Sequence, residues 1–229
     1  SEERITDVSF SGDNKKVATV CDAIRIRTYN VDIDFALFSE NEAESPIQEV
    51  QLGEDGSLMM TASKDGYICA WLKQGGGYEL IRSIEAHTDR IFDLEFSPSY
   101  KDFASASEDG TFKLWTIKSE NPFEVELLDS TPSEHKANFC SLAFSQDGNV
   151  IATGSKASVD AIKLWKIHNE GIGSSRRKLK LLMSLGGHKW PVWSLLFSDN
   201  GERLISGSSD KKIKVWDLRS GQLEATLSG

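Results

Sequence analysis

Short alternations of apolar and polar residues recur along the whole chain. Tyr67-Ile68-Cys69-Ala70-Trp71, Thr111-Phe112-Lys113-Leu114-Trp115, Ile162-Lys163-Leu164-Trp165 and Ile213-Lys214-Val215-Trp216 each end on tryptophan. A period of two over such windows predicts β-strands. The four tryptophans lie 44, 50 and 51 positions apart (115−71, 165−115, 216−165). Leu52, Phe96 and Phe197 precede a tryptophan by 19 positions, Phe144 precedes Trp165 by 21, and Phe10 precedes Tyr29 by 19. A Ser or Thr follows each of these five apolar residues by nine: Thr19, Thr61, Ser105, Thr153 and Ser206. His87, His135 and His188 precede theirs by nine, and Asp65, Asp109 and Asp210 precede a tryptophan by six. A fixed set of offsets marks a tandem repeat.

Turn signals fall between these marks. Glu54-Asp55-Gly56, Gln146-Asp147-Gly148 and Asp199-Asn200-Gly201 separate a first strand from a second, and Glu108-Asp109-Gly110 precedes a tryptophan strand. Glycine accepts the positive φ of tight hairpins. A fourth strand is expected near Phe35–Phe38, Glu79–Ile84, Phe123–Leu128, Leu179–Leu185 and Leu223–Leu227. The unit is thus a four-stranded antiparallel meander, present five times, with boundaries near 1–45, 46–85, 86–133, 134–186 and 187–229.

These residues resemble the WD40-repeat family. Gly187-His188 and Trp216-Asp217 reproduce its Gly-His and Trp-Asp marks, with Ala86-His87 and Trp115-Thr116 as close variants. The resemblance covers almost the whole chain and weakens toward the first repeat. It implies an all-β fold, a β-propeller of four-stranded blades around a channel. It also implies a hydrogen-bonded set in each complete blade: His87, Ser105, Asp109 and Trp115, and His188, Ser206, Asp210 and Trp216. The insertion Lys156-Ala157-Ser158-Val159 displaces Asp160 in the fourth repeat, and Ala43 stands where the second repeat would carry His, so both networks should be reduced. A Ser-His-Asp hydrolase needs one such constellation beside an oxyanion site, whereas copies at the repeat spacing point to structure. Repeats of about 40–45 residues in a seven-bladed ring need about 300 residues. The chain is therefore expected to be part of a longer protein, with a five-bladed ring as the alternative.

Composition narrows the function classes. The 229 residues carry 26 Lys+Arg against 35 Asp+Glu, a formal charge of −9, which disfavours phosphate-backbone binding. No apolar run reaches membrane-span length. Cys21, Cys69 and Cys140 read as reduced thiols of an intracellular protein, cytoplasmic or nuclear. No histidine pair has zinc spacing, and Gly75-Gly76-Gly77 lacks the ending of a phosphate loop, so no metal, cofactor or catalytic residue is assigned.

Binding is expected at the rim where each first strand opens. Those positions are Thr6, Gln48, Phe92, Cys140 and Trp193, flanked by Arg4, Pro46, Arg90, Asn138 and Pro191 and by Cys21, Lys64, Glu108 and Ser209. Arg90, Phe92, Trp193 and the less regular Trp190 are of the residue types that dominate interfaces. Capping of blade packing is the competing reading for Phe92 and Trp193. A channel hydrolase would need paired carboxylates, and the strand-opening positions hold none. The acidic stretch Glu40, Glu42, Glu44, Glu49, Glu54 and Asp55 reads as a solvated surface, and Arg176, Arg177, Lys178 and Lys180 as a surface loop or a dock for an acidic partner. Trp216-Asp217-Leu218-Arg219 resembles the Trp-Asp-x-Arg motif of substrate receptors in cullin–RING ubiquitin ligases, with Arg219 as contact residue. The leading expectation is a non-catalytic scaffold for protein or peptide partners within a complex. A ligase receptor, or a regulatory or sensor module completed by further blades of its own parent chain, is the alternative.

Overall fold

A computed structural model describes residues 4–21, 24–120, 122–131, 138–157, 160–170 and 177–228. It forms five four-stranded antiparallel sheets, each a meander in chain order. Blade 1 comprises β1 (Ile5–Phe10), β2 (Lys16–Cys21), β3 (Arg25–Asn30) and β4 (Ala36–Glu42), with a 3-10 turn at Val31–Ile33. Blade 2 comprises β5 (Ile47–Leu52), β6 (Leu58–Ser63), β7 (Tyr67–Gln74) and β8 (Gly77–Glu85). Blade 3 comprises β9 (Ile91–Phe96), β10 (Asp102–Ser107), β11 (Phe112–Glu120) and β12 (Phe123–Ser130). Blade 4 comprises β13 (Phe139–Phe144), β14 (Val150–Ser155), β15 (Ile162–Asn169) and β16 (Arg177–Leu185), and blade 5 comprises β17 (Val192–Phe197), β18 (Arg203–Ser208), β19 (Lys212–Asp217) and β20 (Gln222–Ser228). The first strands β1, β5, β9, β13 and β17 pack against one another in succession.

The cores lie between blades. Four apolar clusters join blades 1 and 2, 2 and 3, 3 and 4, and 4 and 5, and each contains the tryptophan of the later blade: Trp71, Trp115, Trp165 or Trp216. Flanked by a blade on each face, β6 and β10 are buried at every position, which explains the unbroken small and apolar run Leu58-Met59-Met60-Thr61-Ala62-Ser63. In blade 5 the equivalent β18 is only partly buried. Apolar side chains stay exposed at both ends of the array, including Val8 and Phe10 on β1 and Leu196 on β17. A lone sheet face of this kind needs a neighbour to cover it.

Within blades 3 and 5 the repeated polar residues connect strands to a loop. The Trp115 indole N–H donates to Ser105 Oγ (3.0 Å), and Ser105 lies 2.7 Å from His87 Nε2. With the hydroxyl oxygen already accepting from Trp115, its proton goes to Nε2, so Nδ1 carries hydrogen and donates to Asp109 Oδ2 (2.9 Å). Blade 5 repeats this with Trp216, Ser206, His188 and Asp210 at 2.8 Å each. Burial lowers the His87 pKa against the pull of Asp109. Burial would raise Asp109, but donation from His87 and Thr111 outweighs it and holds that carboxyl well below the usual carboxylate range. The ring is neutral and the aspartate charged. Among the described residues, blades 2 and 4 show the inner contact, from Trp71 to Thr61 (3.1 Å) and from Trp165 to Thr153 (3.0 Å). His135, Ser158 and Val159 lie outside the described residues, and Asp160 is exposed with a left-handed φ of 52°.

Ser105→Ala leaves an indole N–H and an imidazole nitrogen buried without partners. We expect it to lower stability by about 2–3 kcal/mol in denaturant unfolding, with a smaller loss for Ser105→Thr, because Thr61 and Thr153 perform the same acceptance in blades 2 and 4.

Candidate functional site: the blade rim and inner strands

Each first strand begins with the same irregularity. Pairing with the second strand shifts register between Ile5 and Asp7, Ile47 and Glu49, Ile91 and Asp93, Phe139 and Ser141, and Val192 and Ser194. The unpaired residues are therefore Thr6, Gln48, Phe92, Cys140 and Trp193, the strand-opening positions. A β-bulge re-aims its extra side chain, and here it does so once per blade at one rim.

Backbone bonds fix the same rim. Lys64 N–H donates to the Pro46 carbonyl (2.8 Å), Glu108 to Arg90 (2.9 Å), Lys156 to Asn138 (3.0 Å) and Ser209 to Pro191 (3.0 Å). On this frame blades 3, 4 and 5 converge. Phe92 and Trp193 meet edge to face with centroids 5.7 Å apart. Between their blades stands the small Cys140, whose thiol donates to the Val192 carbonyl (3.1 Å) and is pushed up to about 12 by burial. Lys156 Nζ sits 4.4 Å from the Phe92 centroid and 6.0 Å from that of Trp193, and pairs with Glu108 at 2.7 Å. The Arg90 guanidinium lies 5.5 Å from the Phe92 ring, and its Nε is buried without a hydrogen-bond partner among the described residues. The Trp193 indole donates to Ser209 Oγ (2.7 Å) yet the residue is 45% exposed, and Trp190 is 62% exposed. Gln48 and Lys64 belong to blade 2 and are not part of this contact group; Lys64 is exposed and the Gln48 amide donates to the Ile47 carbonyl (3.2 Å). Lys156 has no rim role in the sequence pattern because the two extra residues of the fourth repeat upset the count back from Trp165, yet its backbone bond makes it the blade 4 counterpart of Lys64, Glu108 and Ser209.

The inner strands carry a second polar feature. Each first strand is the edge of its own sheet, so its outward N–H groups need acceptors from elsewhere. Asp7 Oδ2 accepts from Val50 N–H (2.7 Å) and Ser9 Oγ from Leu52 N–H (3.1 Å). Asp93 Oδ2 accepts from Leu142 N–H (2.6 Å) and Glu95 Oε2 from Phe144 N–H (3.2 Å). Glu49 occupies the Asp7 position of blade 2 and instead faces the Gln51 amide at 3.5 Å. Sequence reasoning missed these carboxylates because it inspected only the strand-opening residues. Asp7, Glu49 and Asp93 come one residue later, three before Phe10, Leu52 and Phe96. Burial raises Asp7, Asp93 and Glu95, the last also through the Asp93 charge. Glu49 is pushed up to about 10 by burial and by Asp93 and Asp7. It does not belong to the solvated acidic stretch in which its sequence neighbours place it.

Several other charges are paired. Glu40 pairs with Arg27 (2.5 Å). Arg177 binds Asp102 through both terminal nitrogens, and Lys178 pairs with Asp129 (3.1 Å), so these two residues of the basic run tie β16 to blade 3; Arg176 lies outside the described residues. On the opposite face from the rim, the Arg219 side chain is 87% exposed, 3.5 Å from Glu202. The Ser105 and Ser206 hydroxyls are fully buried and each already holds an indole N–H. No group of residues suited to a metal ion occurs among the described residues, and no helix among them is long and apolar enough to cross a membrane.

Radially packed four-stranded sheets with this recurring Trp-Ser/Thr-His-Asp network define a β-propeller type of protein. Comparison with known proteins agrees: the family model described as "WD domain, G-beta repeat" matches residues 78–116, 128–160 and 179–217. These three segments are WD40 repeats, and proteins built of such repeats bind protein partners. It is similar to Pre-mRNA-processing factor 19 homolog 2 of Arabidopsis thaliana, 26% identical over 174 residues that cover 76% of this chain and 30% of that protein. It is also similar to Nuclear distribution protein PAC1 of Arthroderma otae, 30% identical over 155 residues that cover 64% of this chain and 31% of that one. The chain thus spans just under a third of the length of the curated relatives it matches.

Glu49 generates a pH prediction. With its folded pKa near 10 it stays protonated at neutral pH, whereas the unfolded chain ionises it near 4.5. Its contribution therefore weakens the fold as pH rises from about 4.5 toward 10. Glu49→Gln, which has nothing to ionise, should stabilise the chain by about 1–3 kcal/mol at pH 8, with the gain vanishing near pH 4. Thermal unfolding across that range checks it, and a loss at every pH would refute the assignment.

Proposed function

We propose that the chain is a non-catalytic protein-interaction scaffold whose rim at blades 3 to 5 receives a protein or peptide partner within a complex. The observation that carries this reading is the group formed by the bulge residues Phe92 and Trp193 with Arg90 and Lys156, beside the exposed Trp190. Two aromatic rings and two cations meet there, with a buried guanidinium nitrogen that has no acceptor among the described residues. Aromatic and arginine anchors gain most when a partner desolvates them. The apolar end faces support a further partner, additional blades of the parent protein packed on β1 and β17. An intracellular setting, cytoplasmic or nuclear, fits this role, as it fits the names of the relatives.

The test is affinity purification of the parent protein, wild type against Trp193→Ala and Arg90→Ala. Each substitution is expected to weaken capture of one or more partners by about tenfold or more, while circular dichroism stays unchanged. An identical partner set in both variants would discard the rim assignment.

A second reading rests on the exposure of Arg219 in Trp216-Asp217-Leu218-Arg219, where Glu202 at 3.5 Å holds the guanidinium only loosely. As a receptor of a cullin–RING ligase, the protein would present this arginine to the ligase adaptor. Arg219→Ala should then remove the adaptor from pull-downs and leave rim partners in place; absence of an adaptor with the wild type excludes this reading.

A further inference from the structure

Blade 2 lacks the histidine of blades 3 and 5, and the departure leaves a site. Ala43 lies nine residues before Leu52, as His87 lies nine before Phe96. Ala86 and His87 N–H both donate to the Gly66 carbonyl (3.1 and 3.0 Å), and Ala43 N–H donates to the Ile24 carbonyl (2.8 Å), the equivalent residue one blade earlier. Gly66 has a φ of +88°, and a Cβ there would strike the His87 carbonyl, so this approach is close. Ala43 thus stands where the other blades root an imidazole.

A cavity of about 420 Å3 opens at this place. Its walls include Ala43, Thr61, Asp65 and Trp71, the counterparts of His87, Ser105, Asp109 and Trp115. Thr61 Oγ1 accepts the Trp71 indole N–H (3.1 Å), so its own hydrogen is left to donate, and no acceptor for it occurs among the described residues. In blade 3 the matching hydroxyl proton goes to imidazole Nε2. Asp65 Oδ1 accepts from the Ser63 hydroxyl, and its Oδ2, the oxygen that in Asp109 takes the imidazole N–H, has no partner among the described residues. The cavity is therefore lined at its deep end by a hydroxyl donor, at its outer end by a carboxylate acceptor, and on one wall by an indole. This is the surround that the same chain builds around its own histidines. Glu42 and Glu44, both exposed, also line it.

We propose that blade 2 carries an acceptor site for an imidazole side chain supplied by a basic segment of a partner protein. A neutral ring entering here accepts from Thr61 through one nitrogen and donates to Asp65 through the other. The glutamates at the mouth favour lysine or arginine next to that histidine. The site is independent of the rim at blades 3 to 5, and either can fail without the other.

The test titrates free imidazole at pH 8, where the ring is neutral, into the 229-residue chain while following the indole N–H resonance of Trp71, identified with Trp71→Phe. A saturable shift in the millimolar range, on the order of 1–10 mM, is expected. 1-Methylimidazole, which lacks the N–H, should bind about tenfold more weakly. Ala43→His places a ring from within, so it should raise the thermal midpoint by a few degrees and abolish the titration. A capped Lys-His-Lys peptide should bind more tightly than Glu-His-Glu. No saturable shift up to about 100 mM, or a titration unchanged in Ala43→His, overturns the proposal; equal affinity of the two peptides overturns its basic-partner part.

Discussion

The inner strand of every blade is a sheet edge, and the whole arrangement follows from what must be done with that edge. Its outward N–H groups have no strand to pair with, so the preceding blade answers them with side chains: Asp7 and Ser9 for blade 2, Asp93 and Glu95 for blade 4. Backbone polar groups buried without partners cost about as much as lost hydrogen bonds, which makes these acceptors part of how blades are held at a fixed spacing. The same solution crowds carboxylates between neighbouring inner strands. Their raised pKa values are the electrostatic consequence, at Glu49, which has no backbone donor among the described residues, as at Glu95 and Asp93, which have one. At the opening of the same strand a bulge interrupts the pairing and throws one side chain onto the rim. The exposed rim and the cohesion between blades are therefore set by adjacent residues of one strand.

Much of this was legible in the chain. The offsets between Trp, Ser/Thr, His and Asp place the strands and identify the members of the network, because a repeat forces the same geometry at each copy. The bulge residues were found by counting, although counting could not show that they are bulges, since register is a property of the pair of strands. Nor could it show that Phe92 and Trp193, two blades apart, touch across Cys140. That contact depends on how far each blade rotates from the last and on the thiol's small volume. Asp7, Glu49 and Asp93 share one offset and were open to the same counting. They were hidden because acidic residues in a polar sequence read as surface. Arg177 and Lys178 show the converse error: a basic run looks like a docking loop until its partners Asp102 and Asp129, far off in sequence, appear in the next blade.

The matched family segments illuminate the assembly as well. The segment 78–116 runs from β8, the outer strand of blade 2, to the residue after Trp115 in blade 3. The unit that repeats in sequence thus straddles two units of structure. The turn that carries Gly66 bonds the strand entering the next blade, and the His-Asp pair then fixes that entry within blade 3. Covalent overlap and hydrogen bonding act at the same joint, so neighbouring blades are coupled more firmly than their apolar contact alone would make them.

Repetition of this kind makes the exceptions informative. Where several blades solve one problem with one set of offsets, a residue that departs from the set is not needed for the frame. Lys156 holds the rim position that Lys64, Glu108 and Ser209 hold in the other blades, and its ammonium lies over two rim rings. Ala43 removes a histidine while the hydroxyl, the carboxylate and the indole that would hold it remain. In the first case a cation stands beside two aromatic rings; in the second, blade 2 keeps a polar surround whose central group its own sequence does not supply. The missing ring does not improve packing, since it forfeits buried contacts. The frame tolerates both because the inter-blade clusters and edge-strand acceptors carry cohesion elsewhere, which leaves these positions free to differ from blade to blade.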